Sequence, residues 1–272
     1  MLRQLLLGTP ILIGLSCALL AAAAFHSRGS SSQPVADQDV DEEFHRIIPM
    51  SANGSLSLEN SSGDILIKTW DRNEIKIDAV KSAPRKERLA EAQIEIDPGP
   101  DVVRIKTKYA NENLSWGNDD AHRQSNPASV SYTLTVPGNT RIDKIELLNG
   151  TAEIDGVAGG IKASSVNAGF TLRNIVGVVD ISTVNGRLEA ILEPRNKASS
   201  VVLSAVNGQI VLSAAADANV QVKAYTMNGQ IKNDFGFQVN RTVGSYLTGS
   251  LGSAGAKIDL RNLNGGITLR RN

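Results

Sequence analysis

Asn185-Gly186-Arg187-Leu188-Glu189-Ala190 and Asn207-Gly208-Gln209-Ile210-Val211-Leu212 carry one phrase: an asparagine, a glycine, then an alternating apolar run. The phrase recurs at Asn149-Gly150, Asn167-Ala168-Gly169, Asn228-Gly229 and Asn264-Gly265, at successive intervals of 18, 18, 22, 21 and 36 residues, the last close to two periods. A period near 20 marks a repeat architecture, in which each unit is too small to bury its own face and stacks on its neighbours. Three and five residues after each asparagine stand Ala152 and Ile154, Phe170 and Leu172, Leu188 and Ala190, Ile210 and Leu212, Ile231 and Asn233, Ile267 and Leu269. Only Asn233 is polar. Between them fall Glu153, Thr171, Glu189, Val211, Lys232 and Thr268, so the pattern has period two and each segment reads as a half-buried strand. Asn53-Gly54, followed by Leu56 and Leu58, is in the same phase.

Asparagine and glycine accept positive φ more readily than other residues, which makes Asn149, Gly150, Asn167, Gly169, Asn185, Gly186, Asn207, Gly208, Asn228, Gly229, Asn264 and Gly265 the expected structural turns. Turn chemistry leaves the pairing open, because Asn-Gly also opens two-residue antiparallel hairpins. The recurrence of every inward position in one phase favours like stacked on like. The expectation is an all-β solenoid or β-helix-like stack of parallel repeats of roughly 18–22 residues, preceded by a β-rich part with one short helix.

Composition narrows the class. The 272 residues are 41% hydrophobic but only 4% aromatic, so the core is drawn from Ile, Leu, Val and Ala. Basic and acidic residues balance at 28 each, which leaves no net field for nucleic acid or an anionic membrane. Residues 1–24 read as a signal peptide or signal anchor: Arg3 is followed by an apolar run over residues 5–24, broken only by Thr9 and Ser16, that ends in four alanines. Cleavage, retention as a span of about 30 Å, and lipidation at Cys17 are the three outcomes. Cys17 is the only cysteine, so the mature domain holds no disulfide. Residues 25–43 are rich in Ser, Gln and Asp and read as a disordered linker. One domain is expected over 44–272, strand-rich over 44–140 and Asn-Gly-repetitive over 141–272. Its location is expected to be the periplasm, cell envelope or exterior, with membrane contact only through the N-terminal segment if uncleaved or lipidated.

In the first part of the domain, Leu56-Leu58, Ile65-Ile67, Ile75-Ile77, Ile94-Ile96, Val103-Ile105 and Tyr132-Leu134-Val136 mark further alternating strands. Ser82 as cap, Pro84 in the first turn and the helix formers of residues 85–92 predict a short helix. Trp70 follows the Ile65-Ile67 strand on the opposite phase, as a solvent-side or edge residue. The polar loop between Tyr109 and Ala128 is the longest insert. This order, with GSLSLENSSGDILI over residues 54–67, a helix, YTLTVP over 132–137, the Asn-Gly repeats and GSLGSAGAKIDL over 249–260, resembles the bacterial putative-adhesin domain family of unknown function. The likeness spans most of residues 50–272. It implies a right-handed β-solenoid, export or envelope association, and no established catalytic residue, the adhesin label itself resting on fold analogy.

Catalytic motifs are sparse. The three histidines are His26, His45 and His122; no Gly-x-Ser-x-Gly elbow precedes a helix, and residues 249–257 lack the Gly-Lys-Ser/Thr of a phosphate loop. In the polar loop Asp119, Asp120 and His122 are weak candidates for a cation, with a solvated loop as the alternative. Trp116 could stack on a sugar or fold back on the sheet. The outward positions Glu153, Arg173, Arg187, Glu189, Gln209 and Lys232 mix signs without the paired carboxylates that glycoside chemistry needs. The expected function is therefore a non-catalytic, adhesin-like or scaffolding envelope protein whose partner is an envelope protein or glycan, with no cofactor or metal. The alternative is a carbohydrate-binding or carbohydrate-active β-helix protein acting on an envelope or extracellular polysaccharide.

Overall fold

The computed structural model describes residues 39–109, 128–192, 198–253 and 255–272. The first part holds β1 (Val40–Pro49), β2 (Ser55–Ser62), β3 (Ile65–Trp70), β4 (Glu74–Ala83), the helix α1 (Lys86–Leu89), β5 (Ala92–Pro98), β6 (Val102–Tyr109) and β7 (Ser129–Pro137). The repeats follow as β8 (Arg141–Asp155), β9 (Ile161–Arg173), β10 (Gly177–Asn185), β11 (Leu188–Leu192), β12 (Ala198–Asn207), β13 (Ile210–Ala214), β14 (Val220–Asn228) and β15 (Ile231–Asn233). Last come β16 (Val239–Thr242), β17 (Gly244–Leu251), β18 (Ala256–Asn264) and β19 (Ile267–Arg271). The chain is all-β, and these strands join in one mixed sheet.

The pairings resolve the sheet into two rows that share the long strands β8 and β9. One row runs β5-β6-β2-β8-β9-β10-β12-β18-β14-β17-β16. The other runs β1-β4-β7-β3-β8-β9-β11-β13-β19-β15. The Asn-Gly phrase sits where the chain passes from the first row to the second. Alternation sends Leu56, Leu58, Ile181, Leu203 and Leu260 inward from the first row and Ile65, Ile67, Phe170, Leu188, Ile210 and Leu269 inward from the second, all buried in one core. Within it the Tyr132 hydroxyl lies 2.7 Å from Thr107 Oγ1 and ties the rows together. Burial pushes the Tyr132 phenol up to about 12, and the Thr107 bond only partly offsets this.

Parallel pairing fills the interior and antiparallel pairing closes the ends. β5 and β6, β4 and β7, and β1 and β4 are antiparallel at one end, as are β14, β17 and β16 at the other. A parallel stack throughout is thus not the architecture. The order of repeats also departs from chain order: Asn207 of β12 faces Asn264 of β18, and Asn228 of β14 faces Asn264 from the other side. The last unit is inserted between its two predecessors. The 36-residue interval before Asn264 is not two periods, because it holds the β16-β17 hairpin.

Two local expectations are corrected, and two other residues gain a role. The helix spans only Lys86–Leu89, with Arg85 at the cap position and no side-chain cap; Ser82 lies in β4, and its hydroxyl donates to Asp41 at 2.6 Å. Val211, on the outward phase of β13, is fully buried, as are its neighbours in that strand. Asn233, the polar exception among inward positions, clamps the next turn: its Oδ1 accepts the Phe237 amide at 2.9 Å and its Nδ2 donates to the Phe237 carbonyl at 3.2 Å. Trp70 ends β3 half-buried, its Nε1 donating to the Glu74 carbonyl at 2.7 Å with the Arg72 guanidinium 5.0 Å above the ring.

Candidate functional site

The surface that repeats is the line of asparagines. Asn167 Nδ2 donates to Asn149 Oδ1 at 3.0 Å, Asn185 to Asn167 at 2.9 Å, Asn207 to Asn185 at 2.9 Å, Asn264 to Asn207 at 2.9 Å, and Asn228 to Asn264 at 2.9 Å. Six side-chain amides form one exposed ladder across six parallel strands. An amide carries two donors and two acceptor sites, so the inner members keep one N–H and one lone pair for solvent or a ligand. None of these asparagines has positive φ; among described non-glycine residues only Asn174 does, at 49°. Their recurrence is explained by the ladder rather than by turn conformation.

The glycines also have a packing reason. A Cβ at Gly208 would stand 1.9 Å from the Gly186 carbonyl oxygen, at Gly265 1.8 Å from that of Gly208, at Gly229 2.0 Å from that of Gly265, and at Gly186 2.1 Å from that of Ala168. Real side chains do not reach such distances, so the backbones approach only without a Cβ. Positive φ adds to the requirement at Gly150 and Gly265 alone among them. Ala168, not Gly169, occupies the shared column, since Gly150 pairs with Ala168 and Thr151 with Gly169.

The corner is also satisfied from within, a feature absent from the sequence reading. Two residues before each asparagine stand Leu147, Ser165, Thr183, Ala205, Asn262 and Thr226, facing inward. Thr183 Oγ1 donates to the Ala168 carbonyl at 2.9 Å, Thr226 Oγ1 to that of Gly265 at 2.8 Å, and Asn262 Nδ2 to that of Gly208 at 2.9 Å. Buried carbonyls turned in by the bend thereby gain partners. The clue was the small polar residue at a nominally apolar position.

One residue before each asparagine the chain points outward, and every such residue is apolar: Leu148, Val166, Val184, Val206, Leu263 and Met227, between 38% and 45% exposed. They form an apolar ridge beside the amide ladder. At its Leu148 end an open groove of about 330 Å³ is lined by Glu59, Lys106, Glu146, Leu148 and Val166 among others. Lys144 Nζ lies 2.7 Å from Glu59 and 3.0 Å from Glu146, while Lys106 lies 3.3 Å from Glu59. The Lys144 hydrogen bond holds the Glu59 carboxyl below its ordinary value against the upward push of burial, with a lesser contribution from the Lys106 hydrogen bond. The Glu59 and Glu146 bonds raise the Lys144 ammonium. On the other row Glu153 meets Arg173 at 3.2 Å and Glu189 meets Arg187 at 3.0 Å. Glu153 and Glu189 are thus each held by a cation, while Asp64, which lines an open groove together with Glu153, accepts from the Thr151 amide and hydroxyl at 2.8 and 2.7 Å.

Trp116, Asp119, Asp120 and His122 lie outside the described residues, as do residues 1–38. Among the described residues no group of three or more His, Cys, Asp or Glu side chains converges on a metal-sized space, and no helix is long and apolar enough to cross a membrane.

No family model matches the chain, and no curated protein matches it. Among solved structures, that of a putative cell adhesion protein from Clostridium sporogenes superposes with a TM-score of 0.51 over 85% of this chain and 100% of that one, at 13% identity. The two share a fold. A putative adhesin from Bacteroides fragilis covers 85% of this chain and 97% of its own at 10% identity, with a TM-score of 0.40. A putative lipid binding protein from Parabacteroides distasonis covers 84% and 96% at 10% identity, with a TM-score of 0.33. At such scores the last two carry no weight for this chain.

Proposed function

We propose that the chain is a non-catalytic, exported cell-envelope protein of the putative-adhesin family, and that its parallel interior is a right-handed β-solenoid-like stack displaying an adhesive face. The observation that carries this reading is the pairing of the six-amide ladder with the six-residue apolar ridge, both exposed and both repeating at the strand spacing of about 4.8 Å. A surface with one polar and one apolar site per strand suits an extended polymer that makes many equal weak contacts. A glycan fits best, since hydroxyls can use the free amide N–H and lone pair while the apolar ring faces rest on Val184, Val206 and Leu263. The fold shared with the putative cell adhesion protein from Clostridium sporogenes supports the class by analogy.

The carbohydrate-active alternative requires an acid and a base flanking one bond. The ion-paired state of Glu153 and Glu189 on the outer face favours binding over turnover. Incubation of the purified domain with envelope polysaccharides and peptidoglycan fragments tests the reading. Saturable binding without product release, lost in a Val184→Asp/Val206→Asp variant of unchanged melting temperature, is the expected result; time-dependent product release overturns it. Export is tested separately, by fractionation and N-terminal sequencing of the mature protein.

A further inference from the structure

β1 stands at one edge of the sheet, ten residues long, and pairs with β4 alone among the described strands. Among the described residues no strand pairs with the outer side of β1, which there presents a row of backbone donors and acceptors, and proteins ordinarily deter pairing at such an edge with charge. The charges of β1 are asymmetric: Asp41, Glu42 and Glu43 precede Phe44, while His45 and Arg46 follow it. Glu42 reaches Lys81 at 2.8 Å and His45 reaches Asp78 at 2.8 Å, but Arg46 has no ion-pair partner among the described residues. Val40 and Ile47 are 37% and 55% exposed, and Phe44 is half-buried.

Two copies of one strand can pair antiparallel only about a two-fold axis through a residue, because the outward-pointing backbone groups alternate and like must face like. With the axis at Phe44, Glu42 of one copy faces Arg46 of the other, Glu43 faces His45, and Val40 faces Ile48. With the axis at His45, Glu42 and Glu43 face Ile48 and Ile47. With the axis at Glu43, Asp41 faces His45 but the two Glu43 carboxylates face each other. Directly opposed unlike charges stabilise a strand pair and like charges oppose it. Only the register centred on Phe44 sets two unlike-charge pairs opposite each other with no like charges opposed.

We infer that β1 is a self-association edge: two copies of this chain pair antiparallel through Val40–Ile48, centred on Phe44, with Glu42 and Arg46 as reciprocal ion pairs. The charges that deter indiscriminate pairing then select this one partner. The sheet continues across the two copies, and the particle carries two asparagine faces, which raises avidity for a polymer without any new contact to it. The inference stands independently of what that face binds.

The test uses the full chain with Cys17→Ser, so that introduced cysteines are the only thiols. Phe44→Cys is expected to give a covalent dimer with a short bismaleimide. Ile47→Cys is expected to give none, its two copies lying about 20 Å apart along the paired strands. Failure of Phe44→Cys to cross-link in a folded protein, or equal cross-linking at both positions, overturns the register. Because Phe44 packs partly on the core, exposed charges give a second readout by light scattering. Arg46→Glu or Glu42→Arg alone should weaken association at least about tenfold, as for other close interfacial charge pairs, and Glu42→Arg/Arg46→Glu should restore it. A parent chain that is monomeric at every attainable concentration, single reversals without effect, or a double variant that fails to recover would each sink the proposal.

Discussion

The interior of the sheet and its ends solve different problems. In the interior each strand meets a near-copy of itself, so one solution serves every interface: an outward amide bonded to the next amide, a glycine letting carbonyls pass, and an aliphatic row within. At the ends the copy runs out. There the pairing turns antiparallel, and unrelated side chains cover the core. Leu89 of α1 is buried at one end. At the other, Phe235 and Phe237 stack with centroids 5.8 Å apart, and Phe237 lies so close to Gly249 that a Cβ there would stand 2.5 Å from its ring. A repeat can specify its own propagation but not its termination, which needs side chains that have no counterpart in the next strand.

The comparison is broken most severely in the interior. Gly208→Val places branched carbons against the Gly186 carbonyl, which is backbone and cannot yield; we expect loss of folding or at least about 4 kcal/mol. Gly138→Ala, at a position with nothing within 4 Å of a Cβ, should leave the melting temperature unchanged. A well-folded Gly208→Val protein would remove the close-approach account of the glycine column. Next in size, Leu188→Asp or Ile210→Asp buries an unpaired carboxylate between the rows and should cost several kcal/mol, about 3 or more. Glu189→Ala on the opposite face should change stability by less than about 0.5 kcal/mol. Equal midpoints for the three would reverse the assignment of faces.

The ladder sharpens the comparison further. Asn207→Leu removes two amide bonds at once, to Asn185 and to Asn264, whereas Asn228→Leu at the end of the ladder removes one. With a net contribution of about 1 kcal/mol per bond, denaturant titration should find the first variant about twice as destabilised as the second. Equality would mean that the amides do not act as a ladder. The smallest effect lies at the terminal edge. His45 is raised above its ordinary value by its hydrogen bonds to Asp78 and then Glu43. A raised folded value means that the protonated form stabilises the fold. That contribution is complete below about pH 6.5 and disappears as pH climbs through the folded value. His45→Gln should therefore lower the melting temperature slightly at about pH 5.5 and not at about pH 8.5; a difference that grows with pH would contradict the sign.

The candidate face was half legible. Asn185 and Asn207 are visible as a column because their spacing and phase are periodic, yet local chemistry points to a positive-φ turn, the common role of Asn-Gly in isolation. The amide bonds between Asn185 and Asn207 join residues 22 apart and exist only once the strands are adjacent. The apolar residue before each asparagine was equally visible as letters, but period two alone does not say that Val184 and Val206 line up on the solvent side of one row. Gly169, the glycine nearest Asn167, reads as the turn in sequence, while register places Ala168 there.

The local part is written in the residues: all-β structure, the strands of the repeats, the faces of Leu188 and Glu189, and the recurrence of one corner. These follow from side-chain alternation and from residue chemistry within a few positions. The order of the stack, with Asn264 between Asn207 and Asn228, arises from long-range strand pairing. Identical phrases are interchangeable as neighbours, since each asparagine offers the same amide and each glycine the same gap, so local sequence holds no preference among them. The choice comes from the β16-β17 hairpin, which occupies the free side of β14 and leaves β18 the place beside β12. Long-range pairing of that kind depends on which edges remain open when the chain arrives, and that is a property of the assembled sheet.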